Sequence, residues 1–258
     1  MSENTQNIIL LSHGRCGTNL LCRLLSQYSC ISNNNEIAVE YPKKDNKFFF
    51  DKHLRKELQK HFPFSEKFSE YIDLARKLCR KDFMLFKLFP HHVDGKAWEI
   101  ISQKNSKFIL LTRNHLDSFL SLVQAELYES YFLEDTTSYK IKFNENSFEA
   151  MYERRKKNLS FINNIIKSNP EIEKNLIRVN YKNFLFEKDK KKSLNNILNF
   201  LNIDVKKKSK YSLSFGEFKQ NKNTNFDFVI NKDEMIEYMN KKEDTKIILE
   251  NSIYYKKS

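Results

Sequence analysis

The sequence predicts an α/β fold in which helices cover both faces of a central parallel sheet, and three observations carry that prediction. Short apolar runs rich in Ile, Leu, Val and Phe recur along the chain, and they read as strands buried on both faces. Between them lie segments whose apolar residues follow helical spacing, an alternation that joins parallel strands through crossover helices. No Pro/Gly/Ser-rich stretch divides the 258 residues, so one domain over 1–258 with a single large core is expected.

In chain order, the expected strands are 8–12, 83–88 and 107–112, with a fourth at 176–180. The expected helices are 18–27, 68–80, 116–131, 148–168 and 193–201, the last carrying an apolar stripe of Leu194, Ile197, Leu198 and Leu201. The lysine-rich stretches at 188–192 and 206–208 flank that stripe and read as solvated faces. Residues 219–225 are polar and aperiodic, as in a loop. Asn231 followed by Glu234 has the form of a capping box opening a last helix near Asp233.

A net charge of +12, from 45 Lys and Arg against 33 Asp and Glu, suits an anionic partner: a nucleotide, a sulfated or phosphorylated substrate, nucleic acid or a membrane surface. Cys16, Cys22, Cys30 and Cys79 show no C-x-x-C spacing, and the first apolar run is too short for a signal peptide, so a cytoplasmic setting is expected. No window reaches the roughly 18 apolar residues of a membrane helix, which limits membrane association to a peripheral contact at the inner face.

The first strand runs into His13-Gly14-Arg15-Cys16-Gly17 and then into Thr18-Asn19-Leu20-Leu21, the start of a helix. Strand, tight turn and helix in that order point backbone N–H groups and the helix dipole at one spot, where phosphate or sulfate is the expected guest. Gly14 and Gly17 allow positive φ or close approach of the backbone, and Arg15 adds a fixed charge. A nucleotide kinase would need G-x-x-x-x-G-K-[ST]; here the glycines are spaced Gly14-x-x-Gly17 and no Lys follows. On its own, this segment also fits a plain strand-to-helix turn with an incidental Arg.

Arg113 leaves the carboxyl end of the third strand, where ligands gather in open α/β sheets, and Ser121 follows on the next helix, on the same face as Asp117. Together they suit a second phosphate. The two segments together resemble the sulfotransferases that use 3′-phosphoadenosine 5′-phosphosulfate (PAPS), whose first motif is commonly written S-x-P-R-S-G-T/S-T-L-L and whose second is R-N-P-x-D-x-x-x-S-x-x-x-A. Ser12 to Leu21 match the first, and Arg113, Asn114, Asp117, Ser121 and Ala125 match the second. The stretch from Val179 through Tyr181 to Leu185 is similar to the family's Y-E-D-L strand end, and Phe200-Leu201 to its F-L helix. Departures are Gly14 for Pro, Cys16 for Ser, Asn19 for Thr and His115 for Pro.

The resemblance implies a P-loop-like three-layer α/β fold with PAPS as co-substrate and no metal. It implies that the turn, His13 to Asn19, holds the 5′-phosphosulfate, chiefly through Arg15, Gly17, Thr18 and Asn19, and that Arg113 and Ser121 hold the 3′-phosphate. Sulfuryl transfer needs in-line attack and dispersal of charge on the leaving group. Arg15 is the expected cation, and Lys87, at the end of the second strand, is placed to assist. The base is expected to be Glu36, by similarity to bacterial carbohydrate sulfotransferases, with Glu40 as its rival.

His91 and His92 are candidates to line the acceptor pocket, and Lys219 and Gln220 to close over the nucleotide. Aromatic residues at 48–50, 62–64 and 128–132 offer surface for sugar faces, although core packing accounts for most such rings. A glycan or lipid-linked saccharide is the first acceptor expected, a small hydroxylated metabolite the second. The competing class is a non-catalytic basic module that binds nucleotide or nucleic acid; its support is the net charge, unaccompanied by any nucleic-acid-binding motif, so no nucleic acid is expected.

Overall fold

Period-two alternation along the strands decides how the sheet is covered. The computed structural model describes residues 5–34, 36, 68–90, 95–102, 105–129, 136–182, 190–204 and 225–255. Its strands are β1 (Gln6–Leu11), β2 (Ile31–Asn33), β3 (Phe83–Leu88), β4 (Ser106–Thr112) and β5 (Leu176–Asn180). They form one five-stranded sheet in the order β2-β3-β1-β4-β5, and every pair is parallel. The helices are α1 (Thr18–Leu25), α2 (Phe68–Leu78), α3 (Gly95–Ser102), α4 (His115–Leu127), α5 (Glu145–Ser168), α6 (Pro170–Lys174), α7 (Lys190–Phe200), α8 (Lys232–Asn240) and α9 (Glu243–Glu250).

Ile8 and Leu10 of β1, with Leu85, Ile109 and Leu111, face α1 and α7. Their neighbours Ile9, Leu11, Phe86 and Phe108 face α2, α3 and the second half of α5. The result is the expected three-layer α/β arrangement, with helices on both faces of the sheet. Each fully buried Leu, Ile or Phe contributes about 1.5–3 kcal/mol by leaving water, so both faces share in holding the central strand. A third cluster joins Leu116, Phe119 and Leu120 of α4 to Phe148 and Met151 of α5 and to Met235 and Leu249 of α8 and α9.

The start of α4 is tied down from two sides. Asn114 caps it by accepting from the Asp117 N–H at 3.1 Å, and the Asn114 side-chain amide donates to the Ile248 carbonyl at 2.7 Å. The buried Asp117 carboxylate accepts from the Ser252 hydroxyl and from the Ile253 N–H at 3.2 Å. Burial holds its pKa above the usual carboxylate value, an effect that the nearby Arg113 and these donors only partly offset. Asp117 is thus a tie between α4 and the segment after α9.

Four elements escape the sequence reading. β2 is a three-residue strand, Ile31-Ser32-Asn33, with one apolar side chain, and its pairing with β3 rather than its composition makes it a strand. α3 starts at Gly95, a poor helix former, although Ala97, Trp98 and Ile101 form a buried stripe. α6 and α9 are short. The expected helix ends also shift: α1 stops at Leu25, α2 at Leu78, α4 runs from His115 to Leu127 and α5 begins at Glu145. The capping box at Asn231 does not form, because its amide oxygen accepts from the Phe143 N–H at 2.8 Å and its amide nitrogen donates to Phe143 O and to Glu234. Among the described residues no helix is long and apolar enough to cross a membrane.

Candidate functional site

The strand order brings the two anion-binding segments together. β4 lies directly beside β1, so the turn after β1 and the turn after β4 leave adjacent carboxyl ends, where the direction of strand succession reverses. Ser12 ties the two ends by donating its hydroxyl to the Leu111 carbonyl at 2.7 Å.

The turn itself bends through two left-handed residues, Arg15 at φ 64 and Gly17 at φ 88. Of the two glycines only Gly17 has positive φ; Gly14 does not, and a Cβ at Gly14 would meet nothing within 4 Å. A Cβ at Gly17 would sit 2.4 Å from the Tyr181 ring. Tyr181 in turn carries the Arg113 guanidinium over its face, 4.4 Å from the ring centroid. Gly17 is therefore required twice, by its backbone and by the ring beside it. It also stands at the N-terminus of α1, where no side chain caps the helix.

Side chains from three other elements reach the carbonyls of this turn. Arg155 Nη2 donates to Gly14 O at 2.7 Å, Arg113 Nη1 donates to Arg15 O at 3.1 Å, and the Ser118 hydroxyl donates to Arg15 O at 3.4 Å. In a trans peptide the N–H points opposite to the C=O, so the N–H groups of Arg15 and Cys16 are turned away from those donors. Arg15 itself reaches over to α4, donating from Nε and Nη2 to Ser121 Oγ at 3.3 and 3.0 Å. Ser121 thus bonds Arg15, and Arg113 bonds the backbone of the turn.

Lys87 enters from the other side of β1. It lies opposite Leu10 and shares the α1 face with Leu85, and its Nζ donates to Asn19 Oδ1 at 2.6 Å and to Glu36 Oε1 at 3.2 Å. Only 1% of Lys87 is exposed, so the ion pair with Glu36 is largely shielded from water. Arg15, Lys87, Asn19 and Glu36, named from separate parts of the sequence, thus surround the start of α1. Glu40, His91, His92, Lys219, Gln220 and the aromatic residues at 48–50, 62–64 and 131–132 lie outside the described residues, as do residues 183–185 and 206–208. Tyr128 stacks on Tyr139 at 4.0 Å and donates to Lys140 O, a packing role.

Burial and charge shift several groups around the turn. For Cys16, burial pushes the thiol up, but the His13 ring 3.1 Å away and then Arg155 outweigh it and bring the pKa from 9.0 to about 6. His115 goes down to about 4, through burial first and then repulsion from Arg155, His13 and Lys156, which makes it a neutral ring at pH 7. Arg155 falls to about 10, again mainly by burial, with Arg113, Arg154 and Arg15 adding repulsion. Among the described residues two buried guanidinium nitrogens, Arg113 Nε and Arg155 Nη1, have no hydrogen-bond partner. Arginines gathered against their own repulsion, with donors left over, suit an anionic ligand. Among the described residues no group of three or more His, Cys, Asp or Glu is placed to hold a metal ion.

Solved structures share this architecture. The sulfotransferase domain from the curacin biosynthetic pathway is 16% identical, with 83% of this chain and 80% of that one covered at a TM-score of 0.50. The sulfotransferase domain of the Synechococcus PCC 7002 olefin synthase is 14% identical over the same shares, 83% and 80%, at 0.52. A sulfotransferase from Alicyclobacillus acidocaldarius is 15% identical, covering 81% of this chain and 85% of that chain at 0.50. The chain has the sulfotransferase fold. No family model and no curated protein sequence matches it.

Within this sulfotransferase fold, two contributors to the site were missed as such by the sequence reading. Arg155 interrupts the buried stripe of Phe148, Met151, Ile162 and Ile166 on α5, and a charged residue on an apolar stripe was the signal available. Tyr181 was noted only within a strand-end motif, and nothing local to it announces Gly17 as its neighbour.

The Cys16 shift is open to direct titration. Thiolate ultraviolet absorbance, taken as the difference between the native protein and Cys16→Ser, is expected to rise with a midpoint near pH 6; a midpoint at 9.0 or above would contradict the pairing with His13 and Arg155. Because the folded pKa lies below the unfolded one, the thiolate's contribution to stability is full above pH 9 and is lost as pH falls through 6.

Proposed function

We propose that the chain is a sulfotransferase that moves the sulfuryl group of PAPS to a hydroxyl of an acceptor. The observation that carries this reading is the reach of Arg15 to Ser121, which ties the turn after β1 to the helix after β4. A ligand charged at two separated points suits two anion-binding segments tied in this way, and PAPS carries a phosphosulfate at its 5′ end and a phosphate at its 3′ end. The N–H groups turned away from the tethered carbonyls suit its 5′ anion, and the charge of Arg113 suits its 3′-phosphate.

In this reading His13 to Asn19 form the seat of the 5′-phosphosulfate, with Arg15, Gly17, Thr18 and Asn19 as its contacts, and Arg113 and Ser121 receive the 3′-phosphate. PAPS supplies an activated sulfuryl group and a leaving bisphosphate. The acceptor oxygen forms a bond to sulfur as the bond from sulfur to the phosphate oxygen breaks, and the acceptor proton passes to Glu36. Lys87, held between Asn19 and Glu36, balances charge that develops on the leaving side, and Arg15 does the same from the turn. No metal is required in this scheme.

The acceptor we assign is a glycan or a lipid-linked saccharide, on the resemblance of the Glu36 region to bacterial carbohydrate sulfotransferases, and a cytoplasmic enzyme of one domain, with at most peripheral contact to the membrane, is the corresponding setting. A small hydroxylated metabolite is the next class to assay.

Thermal shift separates the classes of function. 3′,5′-Adenosine bisphosphate is expected to raise the melting temperature more than ATP with or without Mg²⁺ and more than a short oligonucleotide. Preference for ATP–Mg²⁺ would make the protein a nucleotide kinase or ATPase, and preference for the oligonucleotide would make it a nucleic-acid-binding module. The base is tested separately: Glu36→Gln is expected to keep bisphosphate affinity within about twofold while lowering transfer by about 10²–10⁴-fold. Unchanged turnover would move the role to another carboxylate, Glu40 first.

A further inference from the structure

Burying an arginine on an apolar helix stripe is costly, and α5 does so at Arg155, which is 5% exposed. Its position between Met151 and Ile162 would accept an apolar side chain for packing alone. What the guanidinium does instead is reach the turn after β1: Nη2 donates to Gly14 O, and Nη1 is buried with no partner among the described residues. It does so although Arg113, Arg154 and Arg15 repel it, with Cys16 as its attractive neighbour.

We propose that Arg155 is a positioning residue for the anion seat: it holds the Gly14 carbonyl away from the ligand, so that the Arg15 N–H faces the 5′-end anion, and its charge adds to the potential there. The inference rests on the nucleotide reading above only for the name of the ligand, since the same geometry would orient the turn toward any phosphate or sulfate. It concerns the 5′ end alone. The bond is to the turn after β1, whereas the 3′-phosphate is assigned to Arg113 and Ser121 on the turn and helix after β4.

A purely structural arginine and a positioning one differ in a measurable way. Arg155→Met takes the 2.7 Å donor from the Gly14 carbonyl and the cation from beside the Cys16 thiol, so it is expected to melt lower than the native protein while keeping a cooperative transition, and the ligand pattern rather than the melting temperature decides the role. Its affinity for 5′-AMP and for inorganic pyrophosphate, by calorimetry, is expected to fall by about 10- to 100-fold, the loss of one charge-assisted hydrogen bond, while affinity for 3′-AMP stays within about twofold. Arg155→Lys, which keeps the charge and one donor, is expected to recover part of the loss.

Unchanged 5′-AMP and pyrophosphate binding in Arg155→Met would overturn the proposal, and so would a parallel loss for all three ligands. Pyrophosphate keeps the test independent of the nucleotide assignment. If the native protein binds pyrophosphate but no adenosine phosphate, the nucleotide reading fails and the role of Arg155 stands or falls on pyrophosphate alone. Native protein that binds none of the three ligands would overturn both.

Discussion

A peptide turn binds an anion only when its own carbonyl oxygens are kept out of the way, because each carbonyl repels the charge that the neighbouring N–H attracts. Here that constraint is met from the far side of the turn, by Arg155 on Gly14 and by Arg113 and Ser118 on Arg15. Those donors come from the long helix α5, from the end of β4 and from α4, so the position of one short turn depends on the packing of three other elements. Asp117 extends the dependence, since it anchors α4 to the segment after α9 and lies close enough to Arg113 to favour its charge.

The parallel sheet was legible because its strands are nearly continuous apolar runs, and the turn after β1 because strand, Gly-containing turn and helix follow one another without a gap. Arg113 was legible as a strand-end residue and Ser121 as a member of the helix that follows, but the bond between Arg15 and Ser121 was not: it depends on β4 lying next to β1, and strand order leaves no periodic trace in a sequence. Lys87 was legible as a strand-end cation for a similar local reason, while its contacts to Asn19 and Glu36 depend on which sheet face α1 covers.

The misreadings share one physical origin, namely that tertiary pairing overrides local signals. β2 is a strand because β3 supplies its hydrogen bonds, and Asn231 fails as a cap because the backbone of Phe143 occupies its amide. One left-handed bend of the turn falls on Arg15 rather than on Gly14, and the Arg15 carbonyl is tethered on its own account. Gly17 was expected for its backbone, and the ring of Tyr181, distant in sequence, imposes the second requirement.

The central claim is that the turn at His13 to Asn19 and the pair Arg113 and Ser121 form one site for a nucleotide charged at both ends. A crystal structure with 3′,5′-adenosine bisphosphate tests it most directly. The 5′-phosphate is expected against the N–H groups of the turn and the N-terminus of α1, and the 3′-phosphate on Arg113 and Ser121, with Arg15 released from Ser121 to meet the ligand. A bisphosphate bound elsewhere, or bound with its two phosphates exchanged, would contradict it.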